Sequence, residues 1–234
     1  MRTILILTAC LWFATGALAG SIVVQKTGGD VSVRHGVTEG WTTVAVGDVL
    51  RPNDTMRTGK DGSAVLVLQG MSGTSVKRLS LPAMVIVDMS DIRDLTQEEL
   101  ILKLTMEKVR SSPEQTTPER LQIPDVGVVH GTDAKSVGQS RENDPQIGRF
   151  LLNGTKVLCE NGFYATGVLR VMEVFRLYPS LAGVFDHRLL LAEALEKSNL
   201  KGEAIAEYGG MTRLEGLTPA QQSLLQNRIA ALRK

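Results

Sequence analysis

The chain has 234 residues, enough for one large domain or two small ones, and its 43% hydrophobic content is ample for a buried core. Lys and Arg number 26 against 25 Asp and Glu, a net charge of +1. That balance leaves no basic excess for nucleic acid or an anionic membrane surface, so nucleic acid is not among the expected partners.

The first residues, MRTILILTACLWFATGALAG, combine a basic start at Arg2, an apolar run from Ile4 to Phe13 and a small-x-small site at Ala17-Leu18-Ala19. This is the form of a secretory signal peptide over residues 1–19. The run is shorter than the roughly 20 residues a span needs, so no stable membrane span is expected after cleavage. Leu7-Thr8-Ala9-Cys10 offers an alternative, a lipid anchor through Cys10, although the run before it is short. Cleavage after Ala19 leaves Cys159 as the remaining cysteine, so no intrachain disulfide is expected. A lone exported thiol can be reactive or pair between chains. Val157-Leu158-Cys159 continues an apolar helix face, however, and Cys159 is expected to pack there as a small hydrophobe.

From Ser21 to Val87 the pattern is β. Val23, Val31 and Val33 lie in short runs bounded by Gly28-Gly29-Asp30 and His35-Gly36. Gly47-Asp48 and Pro52-Asn53-Asp54 are turn chemistry. Ala64-Val65-Leu66-Val67-Leu68 predicts a strand buried on both faces. Val76 to Leu81 and Met84 to Val87 predict two more strands, with Pro82 marking an edge or bulge between them.

At Thr96-Gln97-Glu98-Glu99 the period changes. Thr followed three residues on by Glu predicts a capping box opening an amphipathic helix to about Arg110. Ser111 to Pro118 breaks it. Residues 119–147 are irregular apart from one apolar run, Val126 to Val129, which could return to the β-domain. From Arg149 the pattern is helical: a face of Phe150, Leu151, Leu152, Val157 and Leu158, broken at Asn161-Gly162. Further helices are predicted over Ala165 to Tyr178, Val184 to Lys197 and Glu203 to Leu214. Thr218-Pro219 opens a fifth, with Leu224, Leu225, Ile229 and Leu232 as its stripe.

In order and spacing, the N-terminal elements resemble the FecR domain, the extracytoplasmic β-module of the ferric-citrate regulator family. The residues that carry the likeness are Gly29 to Val33, Trp41, Gly47 to Leu50, Asp54 to Gly59, Ser63 to Leu68 and Leu81-Pro82. The match covers about residues 21–90, and Val129-His130-Gly131-Thr132 is similar to the V-R-G-T segment that closes such domains, with His in place of Arg. The regulator carries an anti-sigma segment and a membrane span ahead of this module. Here the module follows the signal directly, so the resemblance implies an exported interaction module without that output.

The C-terminal half resembles tetratricopeptide repeats. Ala192 and Ala204 stand twelve apart, and Tyr208 follows Ala204 by four, the spacing that lets helix pairs nest in this repeat. Leu151, Leu158, Gly167, Val171 and Pro179 fit an earlier repeat more weakly, and Gly216 stands where Pro is usual. Two repeats and a terminal helix are marginal alone, because stacking supplies the core, so packing on the β-domain or a partner is expected to complete it. The expected fold is therefore multidomain. It has a signal peptide at 1–19, an all-β FecR-like domain at 20–92, a helix and irregular linker at 93–147, and TPR-like α-helical hairpins at 148–234.

No constellation predicts a reaction. His35, His130 and His187 share no ligand spacing, so no metal site is expected. Thr58 to Ser63 contains Gly59-Lys60 but not the P-loop pattern, and is expected to be a polar hairpin turn. Asp88, Asp91 and Asp94 lack the EF-hand glycine and glutamate and predict a solvated strand-to-helix junction. Asn53-Asp54-Thr55 and Asn153-Gly154-Thr155 are glycosylation sequons by pattern only. Trp41 is expected in the β-core rather than at a ligand surface. The function expected is that of a non-enzymatic scaffold of the bacterial envelope, periplasmic, with no catalytic, cofactor or metal residues. An envelope protein is expected on the helical repeats and a glycan or protein on the β-domain. A periplasmic signalling accessory is the alternative, and a cell-wall hydrolase a third.

Overall fold

The structure is a computed structural model that describes residues 21–36, 40–70, 76–111 and 144–234. The expected signal peptide, the Cys10 anchor, most of the linker, His130 and the Val126-to-Thr132 segment lie outside the described residues. An antiparallel β region over residues 21–88 is followed by helices, a mixed α and β chain.

Among the described residues eight strands form two four-stranded antiparallel sheets. They are β1 (Ser21–Gly28), β2 (Val31–His35), β3 (Thr42–Thr43), β4 (Val49–Leu50), β5 (Asp54–Thr58), β6 (Ser63–Gln69), β7 (Lys77–Leu81) and β8 (Val85–Asp88). The first sheet has the order β4-β1-β6-β7 and the second β3-β2-β5-β8. Alternation decides which face is buried. Ile22 pairs Leu68 and Val24 pairs Leu66 in the first sheet, while Val33 pairs Met56 and Met56 pairs Val87 in the second. All of these side chains belong to one apolar cluster, so the two sheets face each other across a shared core.

A β-bulge keeps β1 in phase. Val24 pairs Leu66 but Lys26 pairs Val65, which leaves Gln25 as the extra residue. Strict alternation from Val24 would have turned Lys26 inward. The bulge turns it to solvent and brings Thr27 opposite buried Ala64. The Thr58-to-Ser63 segment is not a hairpin turn, because β5 and β6 belong to different sheets. It is a crossover, and Gly62 is required in it: a Cβ there would overlap the Asp30 carbonyl oxygen. Pro82 lies in a second crossover, between β7 and β8. Buried Thr58 secures it, its Oγ1 donating to the Pro82 carbonyl at 2.7 Å and accepting from Val85 N at 3.0 Å.

Among the described residues six helices follow: α1 (Gln97–Ser111), α2 (Pro145–Glu160), α3 (Tyr164–Leu177), α4 (Phe185–Lys197), α5 (Lys201–Met211) and α6 (Pro219–Leu232). Short 3₁₀ turns occupy Met89–Asp91 and Pro179–Gly183. At α1, Thr96 Oγ1 accepts from Glu99 N at 3.2 Å, but the Glu99 carboxylate turns to Arg93 at 2.5 Å and Lys103 at 3.4 Å rather than back to the cap. The predicted capping box is therefore half made, because cationic donors outcompete a neutral amide. The complete box is at Thr218 and Gln221 of α6.

Helix α2 joins the two regions. It packs on β8 and β7, one edge strand of each sheet, and so covers an edge of each. Val157, Leu158 and Phe163 enter the β core, while Leu152 and Cys159 of the same segment enter the helical core. Leu100 and Leu104 of α1 also lie in the helical core, against α3. Ala192, Ala204, Tyr208 and Met211 are fully buried where α4 meets α5. Of the predicted α6 stripe only Leu225 is fully buried, and α6 packs on α5.

Candidate functional site

Three places hold side chains that packing alone does not account for. The first is the outer face of the second sheet. Thr43 of β3 pairs Ser32, and Ser32 pairs Arg57, so Ser32, Arg34, Thr43 and Arg57 share that face. Trp41 immediately precedes β3, and extending the register sets it opposite Arg34. The Arg57 guanidinium carbon is 4.6 Å from the Trp41 ring centroid and that of Arg34 is 5.4 Å away. Trp41 is half-buried and outside the apolar core cluster. The expectation of a core tryptophan is thus corrected: the strand beside it is two residues long, and its phase puts Trp41 on the outer face. Neither arginine pairs with a carboxylate among the described residues. Arg34 Nε and Ser32 Oγ are buried without a hydrogen-bond partner.

The second place is the junction of the two regions. Arg170 of α3 reaches Asp88 at 2.6 Å, Asp91 at 2.7 Å through Nε, and Glu173 at 2.8 Å. Asp88 also accepts from Thr55 Oγ1 at 2.5 Å. Burial pushes the Asp91 carboxyl up to about 6; Arg170 opposes this, while the charges of Asp88 and Glu173 add to it. Burial alone would lower Arg170, but the three carboxylates outweigh it and hold the guanidinium protonated. The junction predicted as solvated is therefore an ion-paired anchor at Asp88 and Asp91, and only Asp94 is exposed. Its charges face one another, so the cluster ties α3 to the end of the β region.

The third place is α1. Leu102 is 62% exposed and Val109 70%, and Ile101 and Met106 are also exposed. Leu102, Met106 and Val109 fall at i, i+4 and i+7, so they form one row along the helix. The opposite side of α1 is bound to α3, where buried Glu107 accepts from Arg176 Nε at 2.5 Å.

The other residues singled out in the sequence are dispersed. His35 Nδ1 lies 3.1 Å from Asp54 Oδ1, an ion-pair distance without hydrogen-bond alignment. His187 Nδ1 lies 3.1 Å from the Leu181 carbonyl and secures a 3₁₀ turn. Cys159 is buried in the helical core, and burial pushes its thiol up to about 12. Asn153-Gly154-Thr155 is a packing motif: Asn153 donates to the Met84 carbonyl at 2.9 Å, Gly154 meets the β8 backbone, and Thr155 donates to the Leu151 carbonyl at 2.8 Å. Among the described residues, no three His, Cys, Asp or Glu side chains are grouped to hold a metal ion. No described helix is long and apolar enough to cross a membrane.

No family model, curated protein or solved structure matches the chain.

Arg57 and Arg34 were not singled out from the sequence. The one available signal was their offset of a single residue from Met56 and Val33, which sets them on the face opposite those two side chains. That signal becomes legible only once the pairing of β2 with β5 is known.

Proposed function

We propose that this chain is an exported, non-enzymatic interaction protein of the bacterial cell envelope, a FecR-like β-module fused to TPR-like helical pairs. The supports are the ordered motifs of each half, the signal-like N-terminus, and the way α2 contributes to both cores, which gives the two modules a fixed relationship. The observation that carries the reading is the exposed apolar row of Leu102, Met106 and Val109 on α1. An isolated exposed leucine needs no explanation, but a row at helical spacing is the form that receives the apolar face of a partner's helix. The partner surface proposed is thus α1, which extends the helical pairs through its packing on α3.

The test is site-specific photocrosslinking in cells. A photoreactive residue at position 102, 106 or 109 is expected to give one adduct of discrete mass. The same residue at the exposed position Lys156 of α2, outside that row, is expected to give none. Absence of adducts at all three α1 positions would overturn the reading. Fractionation addresses export separately: the mature chain is expected in the periplasmic fraction, with residues 1–19 missing by mass spectrometry.

A further inference from the structure

We propose that Trp41, Arg34, Arg57 and Ser32 form a binding site on the outer face of the second sheet for a carboxylate-bearing sugar, a uronate unit of an acidic saccharide. This site lies apart from α1, and the inference stands independently of the partner surface there.

Two guanidiniums converge on one indole, at 4.6 and 5.4 Å from its centroid, with no described carboxylate to neutralise them. Bringing like charges together costs energy that the ring quadrupole offsets only in part. Buried polar atoms are nearly always hydrogen-bonded, yet Ser32 Oγ and Arg34 Nε, two residues apart on this face, are both buried without a protein partner. Ser32 is 7% exposed, so this is a built position and not a mobile surface hydroxyl. A guanidinium stacked on a ring keeps the N–H edges of its fork free, and that fork matches a planar carboxylate. The hydroxyl of exposed Thr43 on the same face is the kind of group that reads sugar hydroxyls, and the indole is the kind of surface that meets a pyranose ring. One acidic sugar unit would engage the cations, that hydroxyl and the aromatic surface together. A bare anion would use only the cations, and a neutral sugar would leave them unused.

The full-length chain carrying Trp12→Phe has Trp41 as its one tryptophan, so indole fluorescence reports this site alone. Titration with trigalacturonate is expected to give a saturable change. Maltotriose is expected to give none, and inorganic phosphate and a tri-glutamate peptide are expected to bind at least tenfold more weakly. Arg57→Gln is expected to weaken trigalacturonate binding about tenfold, the worth of one charge-assisted contact. Arg57→Lys, which keeps the charge but not the fork, is expected to weaken it by a smaller factor; it serves as the decisive variant if Arg57→Gln loses its far-ultraviolet signal. Calorimetry on the Trp41→Phe chain is expected to show a comparable loss. The proposal is overturned by no response to trigalacturonate, by phosphate or tri-glutamate binding as tightly, by maltotriose binding equally, or by a folded Arg57→Lys chain that binds like the parent.

Discussion

Arg170 of α3 holds Asp91, in the turn that ends the β region, with its Nε 2.7 Å from Oδ2. The two side chains tie the helices to the strands at a point 79 positions apart in sequence. Asp88 and Glu173 complete the cluster, so one guanidinium is shared among three carboxylates. Burial, added to by the charges of Asp88 and Glu173, makes the proton of Asp91 hard to remove.

The pH dependence follows from that titration. Asp91 ionises at about 6 in the folded chain against an ordinary 3.8. Between those values the folded chain binds more protons than the unfolded one, so stability rises as pH falls through 6, and the gain is complete below 3.8. From pH 7 to pH 5 the contribution is about 1 kcal/mol. Urea unfolding at the two pH values is expected to show this gain in the parent and not in Asp91→Asn. Equal differences in the two chains would exclude Asp91 as the titrating group.

Gly154→Ala tests the seam between the regions. A Cβ at position 154 would overlap the Ile86 carbonyl oxygen and crowd a Val87 methyl, and backbone cannot move aside as a flexible side chain can. The cost expected is about 3 kcal/mol, in the overpacking range. Thermal unfolding of the variant should fall by several degrees, with β and helical signals lost together because α2 contributes to both cores. A variant with unchanged melting would show that α2 is not held against β8.

The strands, the helices and their order were legible in the sequence because alternation and helical period are local. Val31, Val33, Val168 and Leu195 are buried where the pattern of their neighbours puts them. What stayed hidden depends on partners far along the chain. Nothing near Thr58 to Ser63 says that β5 and β6 belong to different sheets. Nothing near Asp88 says that an arginine 82 positions away will claim it. Trp41 was misplaced for the same reason: a large aromatic is expected inside, and the phase of a two-residue strand is set by the strand it pairs with. The candidate site was therefore the least legible part, since it consists of outward-facing residues brought together by pairing.

Cys159 is expected to behave as a core side chain. With its thiol pushed up to about 12, the thiolate fraction at pH 8 is roughly a thousandfold below that of an unperturbed cysteine. Alkylation by iodoacetamide, followed by mass spectrometry of the Cys159 peptide so that Cys10 is counted separately, should be slow in the native chain and fast in urea. Native labelling as fast as that in urea would mean that α2 and α3 open readily around the thiol.

Tyr208 offers the sharpest test of the helical core. It is fully buried, and its hydroxyl donates to Glu196 at 2.9 Å across the contact between α4 and α5. Burial, with the adjacent Glu196 carboxylate, raises the phenol well above its ordinary value, so it remains a donor through neutral pH. Tyr208→Phe removes the hydrogen bond but keeps the ring. Glu196 remains beside Arg228 at 3.5 Å and is not stranded, so the expected cost is about 1 kcal/mol. Tyr208→Ala also opens a cavity in the helical core, and about 4 kcal/mol is expected. Denaturant unfolding of the two variants separates the effects: a small loss for Phe and a large one for Ala places the weight on packing. Equal losses would place it on the hydroxyl, and the nesting of α4 on α5 would then rest on that one polar contact.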